Sequence, residues 1–242
     1  MRTRELPPPL PPETRTVGQL IGESIRLYGK RFWLSLALGI PLAVATQLSL
    51  GRSADTQTLI LFGLTPLIAA AYVFACWIAL GARPTVTAYL CGVLVFAPVP
   101  FLVRVFVLPA VAWLALFGLA IPVAMAEGLS FRRALRRGRE LAFADYAHAV
   151  GSLAALVIVV VISVVTMTTL LRSQGDNGQR VAHLLADLTA SPLLYLGAAL
   201  LYLDQSARVG SDASDRRRRR DAHFHPPVDA DAAGRHDAQV KS

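Results

Sequence analysis

Long uncharged runs alternate with short polar segments along most of the chain. Phe32 to Leu50, Leu59 to Leu80 and Ala149 to Leu171 hold 19, 22 and 23 residues without a formal charge. At 1.5 Å per residue each approaches the roughly 30 Å hydrocarbon core of a bilayer. Val86 to Ala126 is a block of 41 residues interrupted only by Arg104, which is too long for one crossing. Splitting it at Arg104 places spans at 86–103 and 105–126, with the turn between Arg104 and Pro109. The last run, 184–203, follows a polar loop from Arg172 to His183 that contains a GDNG turn, and it carries Asp187 in its first turn, where an acidic side chain suits a helix N-terminus. The other connections are the polar loop Gly51 to Thr58 and the GARPT turn, Gly81 to Thr85.

The fifth run is dense in β-branched residues (LVIVVVISVVT), but its length far exceeds that of a strand. Pro98, Pro100 and Pro122 fall inside the third and fourth spans. Each removes a backbone donor and crowds the preceding turn, so kinks are expected there.

Two polar segments carry helical periodicity instead. Residues 16–30 begin at a possible N-cap, Thr16, and place Val17, Leu20, Ile21, Ser24, Leu27 and Tyr28 on one stripe. Residues 130–145 place Phe131, Ala134, Leu135, Gly138, Leu141 and Ala142 on one side and most arginines on the other. A short amphipathic helix joined to a span is expected to lie in the interface plane. The fold class read from this pattern is all-α: a polytopic membrane helix bundle of about six transmembrane helices (32–50, 59–80, 86–103, 105–126, 149–171, 184–203) with two amphipathic cytoplasmic interfacial helices. It is flanked by a disordered proline-rich arm, 1–15, and a disordered basic and polar tail, 206–242.

Composition agrees with this reading. The chain is 54% hydrophobic and 17% charged, with a mean hydropathy of +0.49, too apolar for a soluble domain of this length. Twelve of the 22 arginines are gathered in the segment Glu127 to Tyr146 and in the tail after Leu203, so the charge is not a nucleic-acid footprint spread over a folded surface, and no nucleic-acid partner is expected. Under six spans one face collects Arg26, Lys30, Arg31, Arg83, the arginines of 132–139, Arg208 and the run Arg216 to Arg220; the other collects Arg52, Arg104, Arg172 and Arg180. The positive-inside rule then places both termini in the cytoplasm of a plasma membrane. A five-span alternative, with the 86–126 block not crossing twice, loses that agreement. Cys76 and Cys91 lie within apolar runs and are read as packing groups.

Three stretches, TVGQLIGESIRLYGKRFW, IPVAMAEGLSFRRALRRGRELAFADY and LLYLDQSAR, together resemble a family of bacterial multi-span proteins. It is related to the membrane domain attached to some glycerophosphodiester phosphodiesterases. The likeness runs from about Thr16 to Arg208. It rests on Glu23, Arg26, Tyr28, Phe32 and Trp33, then on Pro122, Glu127, Ala134, Arg137, Glu140 and Leu141, and finally on Tyr202 and Asp204. The resemblance implies about six spans with an amphipathic helix ahead of the first and another ahead of the fifth. Gln205 departs from the usual ending, and the phosphodiesterase catalytic domain is absent, so no diesterase activity is implied.

Catalytic chemistry finds little footing. Nucleotide loops, zinc spacings and nucleophile elbows are not seen, and neither a metal site nor a cofactor is expected. The polar residues of interest are Glu23, Arg26, Glu127, Arg137, Glu140 and Asp204, for a structural or binding role on the cytoplasmic face, and Arg132, Arg133, Arg136 and Arg139, for contact with lipid headgroups. Glu127 and Asp204 are costly to leave unpaired at the ends of apolar spans. They are expected to pair with basic residues of the two surface helices, Arg26 and Arg137 being the best candidates. Membrane lipids, anionic ones above all, are the expected partners, with a protein partner or a second copy of the chain also open. The functional expectation is a non-enzymatic protein organising lipid or partners at the inner leaflet; a transporter ranks second and an intramembrane enzyme third.

Overall fold

Apolar segments of this length satisfy their backbone N–H and C=O groups in hydrocarbon by forming helices. The computed structural model describes Pro12 and residues 15–224, and among these all regular structure is helical. Helix α1 (Val17–Lys30) leads into α2 (Phe32–Ala37) and α3 (Ile40–Ser49). Helices α4 (Ala54–Gly63), α5 (Thr65–Leu80), α6 (Val86–Phe96), α7 (Val99–Val105), α8 (Val107–Phe117) and α9 (Ala120–Ala126) follow in apolar pairs. The basic helix α10 (Phe131–Ala144) then precedes two long helices, α11 (Tyr146–Leu170) and α12 (Gly175–Phe224). Five stretches are long and apolar enough to cross a membrane: Phe32–Ser49, Val86–Val105, Val107–Ala126, Tyr146–Leu170 and Asn177–Ser211. The pair α4 and α5, bent by 52°, makes a sixth if it counts as one span. The chain is an all-α, multi-span membrane bundle.

The pairing of short helices has one cause. Proline at position i cannot donate to the carbonyl at i−4, and its ring crowds that carbonyl. The breaks fall within a residue of that carbonyl: Ala37 before Pro41, Phe62 before Pro66, Phe96 before Pro100 and Gly118 before Pro122. The expected kinks at Pro100 and Pro122 are thus full interruptions, and Pro41 and Pro66 add two more. Pro109 breaks nothing because it lies in the first turn of α8, where its missing N–H has no partner to lose.

Pro192 is the exception, sitting inside an unbroken α12. Its freed carbonyl, on Leu188, is covered by the backbone of Gly39, at the break between α2 and α3. A Cβ at Gly39 would stand 2.7 Å from the Leu188 Cα and 2.8 Å from the Leu188 and Asp187 carbonyl oxygens. One helix is broken so that its backbone can close over the weak point of another, an approach that only glycine permits.

Several boundaries differ from the sequence reading. The loop before the second span ends at Ser53, not Thr58, because Ser53 caps α4 by accepting from the Thr56 N–H (3.4 Å) and Asp55 occupies the first turn. The turn between the third and fourth spans is one extended residue, Phe106. The GDNG sequence opens α12 instead of forming a loop, so Asp187 lies twelve residues into the helix, about 18 Å along its axis, and is buried there. Burial inside the bundle, not relief of helix-terminal amides, sets its environment. At the other end α12 continues through Ser206 to Phe224, past the expected end of the membrane domain at 205. Arg208 packs back onto α11, and Ser206 and Ser211 return hydrogen bonds to the carbonyls three residues earlier, which carries the helix onward. Of the expected arm, 1–15, all but Pro12 and Arg15 lie outside the described residues, as does the tail from 225 to 242.

Helix α12 runs through the centre, packed on α11, α5, α3 and α1. Helix α9 is enclosed by α5, α6 and α10, with Ala120 to Met125 all buried. The far half of α11 instead turns Ile158, Val161, Ile162 and Val165 outward, an apolar surface of the kind that lipid covers. Replacing Gly39 by alanine forces two backbones apart, and we expect a loss of about 1–3 kcal/mol, read as lowered thermal stability in detergent. Gly22→Ala, where the added carbon meets nothing within 4 Å, should leave stability unchanged or slightly higher.

Candidate functional site

Polar side chains gather at the end of the bundle that carries α10, in two clusters. The first is built on α12 and the start of α11. Asp204 is fully buried and accepts from Arg15, whose Nη1 stands 2.8 Å from Oδ1; Arg15 is itself only 7% exposed. Arg208, one turn further along α12, donates to Asp145 Oδ2 at 2.7 Å and to the Arg15 carbonyl at 3.0 Å, and lies 3.3 Å from His148 Nε2. Asp145 spends its other oxygen on capping α11, accepting the His148 N–H at 3.1 Å. Gln205 donates to the Asp145 carbonyl at 3.3 Å. The segment before α1, the start of α11 and the end of α12 are thereby tied at one point by two ion pairs and their shared hydrogen bonds.

The second cluster joins α9, α10 and α12. Arg137 stands 3.6 Å from Glu127 and 3.6 Å from Glu140, and the Tyr202 hydroxyl donates to Glu127 at 3.4 Å. These charges are about one-third exposed, longer and wetter than the Arg15–Asp204 pair. What holds α10 here is packing. Ala134, Leu141 and Ala142 are fully buried, and Gly138 lies so close to α9 that a Cβ would meet the Ala120 nitrogen at 2.6 Å. The gap between α8 and α9 at Gly118 and Leu119 is the seat of that contact. Ser130 starts α10 in extended geometry without a side-chain cap bond.

The residues singled out from sequence fall as follows. Glu127 lies beside Arg137. Asp204 does not meet Arg26: its partner is Arg15, while Arg26 turns along α1 to Glu23, at 3.5 Å. The reason is the placement of α1. Leu20 and Ser24 are buried in the bundle, and Ser24 packs beside Gly197 of α12. This course brings the start of α1, and with it Arg15, to Asp204. Arg136 pairs with Glu140 one turn on, at 3.7 Å. Arg132, Arg133 and Arg139 are exposed and form no ion pair among the described residues. Tyr28 buries its hydroxyl without a partner, and that burial pushes its pKa above the ordinary phenol value. Arg15, Gln205 and Arg208 were not singled out for roles. Arg15 and Asp204 are 189 residues apart in the chain, beyond any local pattern, whereas Asp145 just ahead of an apolar run was a legible N-cap signal.

A third polar point lies elsewhere. Asp187 is buried between α12 and α3, with the Thr46 hydroxyl and His183 as neighbours and one carboxylate oxygen unpartnered. Ser191 donates from its hydroxyl to the Asp187 carbonyl. The enclosed cavity at the centre of the bundle, about 40 Å³, is lined by apolar and tyrosine side chains such as Tyr72, Leu119 and Tyr195 and holds at most a few waters. Cys76 and Cys91 are free and buried. No group of three or more His, Cys, Asp or Glu comes together as a metal site among the described residues.

No protein-family model matches the chain, and no curated protein or solved structure matches it either. The two clusters call for different responses to neutralisation. Arg15→Gln leaves the Asp204 carboxylate buried without its hydrogen-bonded counter-charge, and we expect a loss of about 3 kcal/mol. Glu127→Gln removes a pair about one-third exposed and should cost no more than about 1 kcal/mol. Thermal unfolding of the detergent-solubilised variants checks this ordering, and equal shifts would contradict it.

Proposed function

We propose that the protein is a non-enzymatic integral membrane protein that organises anionic lipid at the inner leaflet, with six spans and both termini in the cytoplasm. The observation that carries this reading is the setting of α10. Its apolar face is locked into the bundle through Gly138, Leu141 and Ala142, while Arg132, Arg133, Arg136 and Arg139 point outward. A cationic helix so fixed presents its charge at a constant depth without the entropic cost of ordering on contact. Each exposed arginine near an anionic surface gains on the order of 1 kcal/mol. The arginine distribution along the chain supports the orientation, and the ion-pair clusters act as clamps that hold the surface-facing elements to the spans. The resemblance of residues 16–208 to the phosphodiesterase-associated membrane domain is compatible with this role.

A transporter is the second reading, and Asp187 is the observation that favours it. A carboxylate buried among spans, beside the interrupted helix pair α2 and α3, is the type of group that binds protons or cations in transport.

The leading reading is checked by extracting the protein from its membrane in polymer discs and comparing the enclosed lipids with the bulk membrane. Anionic lipid should be enriched around the native chain. The variant with glutamine at positions 132, 133, 136 and 139 should lose that enrichment while keeping its thermal stability. Native discs with bulk composition would overturn the proposal.

A further inference from the structure

The geometry points to a built-in acyl-chain site for a single anionic phospholipid, with the chain in a groove between α6, α7 and α8 and the phosphate on Arg132 and Arg139 of α10. This rests on the lipid-organising reading above and gives it a specific site. The groove has a volume of about 480 Å³ and an entirely apolar lining that includes Phe62, Val95, Phe101, Trp113, Phe117 and Leu135. It lies beside the interruption between α6 and α7 at Ala97 and Pro98, both of which line it.

The void is held open. Trp113 would be the side chain able to fill it, but its indole N–H donates to the Val95 carbonyl at 2.8 Å, one of the last carbonyls of α6, and its ring lies against Phe117 at 4.3 Å between centroids. At the end remote from α10, Phe62 and Phe101 meet edge to face at 5.5 Å and floor the groove. From Val95 to Phe101 the helices rise about 9 Å, and Leu135 on α10 completes the lining.

Charge selects the occupant. Leu135 is the residue of α10 that lines the groove, and Arg132 and Arg139, three before and four after it, share its side of the helix. Both are exposed and make no ion pair among the described residues, whereas Arg136 and Arg137 are engaged with Glu127 and Glu140. The two arginines on the Leu135 side of α10 suit a phosphate tethered to a chain in the groove. A neutral lipid would leave them without a counter-charge, and a free phosphate ester would leave the groove unfilled.

The test uses the full chain with Trp33→Phe and Trp77→Phe, so that Trp113 is the only tryptophan and is excited apart from the tyrosines. It is reconstituted in phosphatidylcholine vesicles with a minor fraction of phosphatidylglycerol brominated in mid-chain. Brominated phosphatidylglycerol should quench Trp113 several-fold more than the same fraction of brominated phosphatidylcholine, and soluble glycerol phosphate should not reverse it. The double variant Arg132→Gln, Arg139→Gln should bring the two lipids to equality. Equal quenching in the parent chain overturns the site, and persistence of anionic enrichment in polymer discs would then leave the broader reading standing. Native mass spectrometry of the unaltered chain guards against a misfolded tryptophan background. It should retain one phosphatidylglycerol, lost on filling the groove with Ala97→Phe; retention by Ala97→Phe would equally overturn the site.

Discussion

In hydrocarbon each backbone N–H and C=O must find its partner within the protein, and this structure is largely a set of answers to the places where proline removes one. Four helix pairs are interrupted at the carbonyl that proline leaves unpaired. Beside these breaks distant groups approach the backbone: the Trp113 indole donates to the Val95 carbonyl, and the backbone of Gly39 lies against Leu188. Along α11 and α12 the hydroxyls of Ser163, Thr168 and Thr189 bond back to carbonyls one turn earlier. The interruptions also shape surfaces. The break at Gly118 and Leu119 is where α10 docks, and the groove lies beside the break at Ala97 and Pro98.

The same solvent makes buried charge expensive, and the basic end shows how the chain manages it. Asp204 has no contact with water and is matched by an arginine at hydrogen-bonding distance; Glu127 is about one-third exposed and its pair is looser. The gradient from tight and dry to loose and wet runs outward along the end of the bundle and finishes in the solvated arginines of α10. Structural and interfacial charges are therefore sorted by depth. Those that hold helices together are used up in pairs, and Arg132, Arg133 and Arg139 remain available to something outside the chain.

Much of this was legible in one dimension. The uncharged runs marked the stretches long and apolar enough to cross a membrane, the heptad-like spacing of Phe131, Ala134, Leu135, Gly138, Leu141 and Ala142 marked the inward face of α10, and the stripe through Leu20 and Ser24 marked that of α1. The Glu127 and Arg137 pair was accessible because both belong to one basic segment. The partner of Asp204 was not, because Arg15 sits in a stretch whose prolines dominate its reading and whose docking depends on the path of α1. Asp187 was misplaced for a related reason. A glycine, two polar residues and a second glycine read as a turn, yet tertiary support from α3, through Gln47 bonding the Arg180 carbonyl, accompanies helix at that point.

What the sequence determined by itself is the solvent and the charge polarity, since span length, hydropathy and the clustering of arginine are properties of contiguous residues. Tertiary structure alone decided which prolines break a helix and which is tolerated, which arginine neutralises Asp204, and where an apolar void meets free cationic charge. Those outcomes depend on atoms brought together from distant parts of the chain. Close packing between helices, unlike hydrophobicity along one of them, leaves no periodic trace.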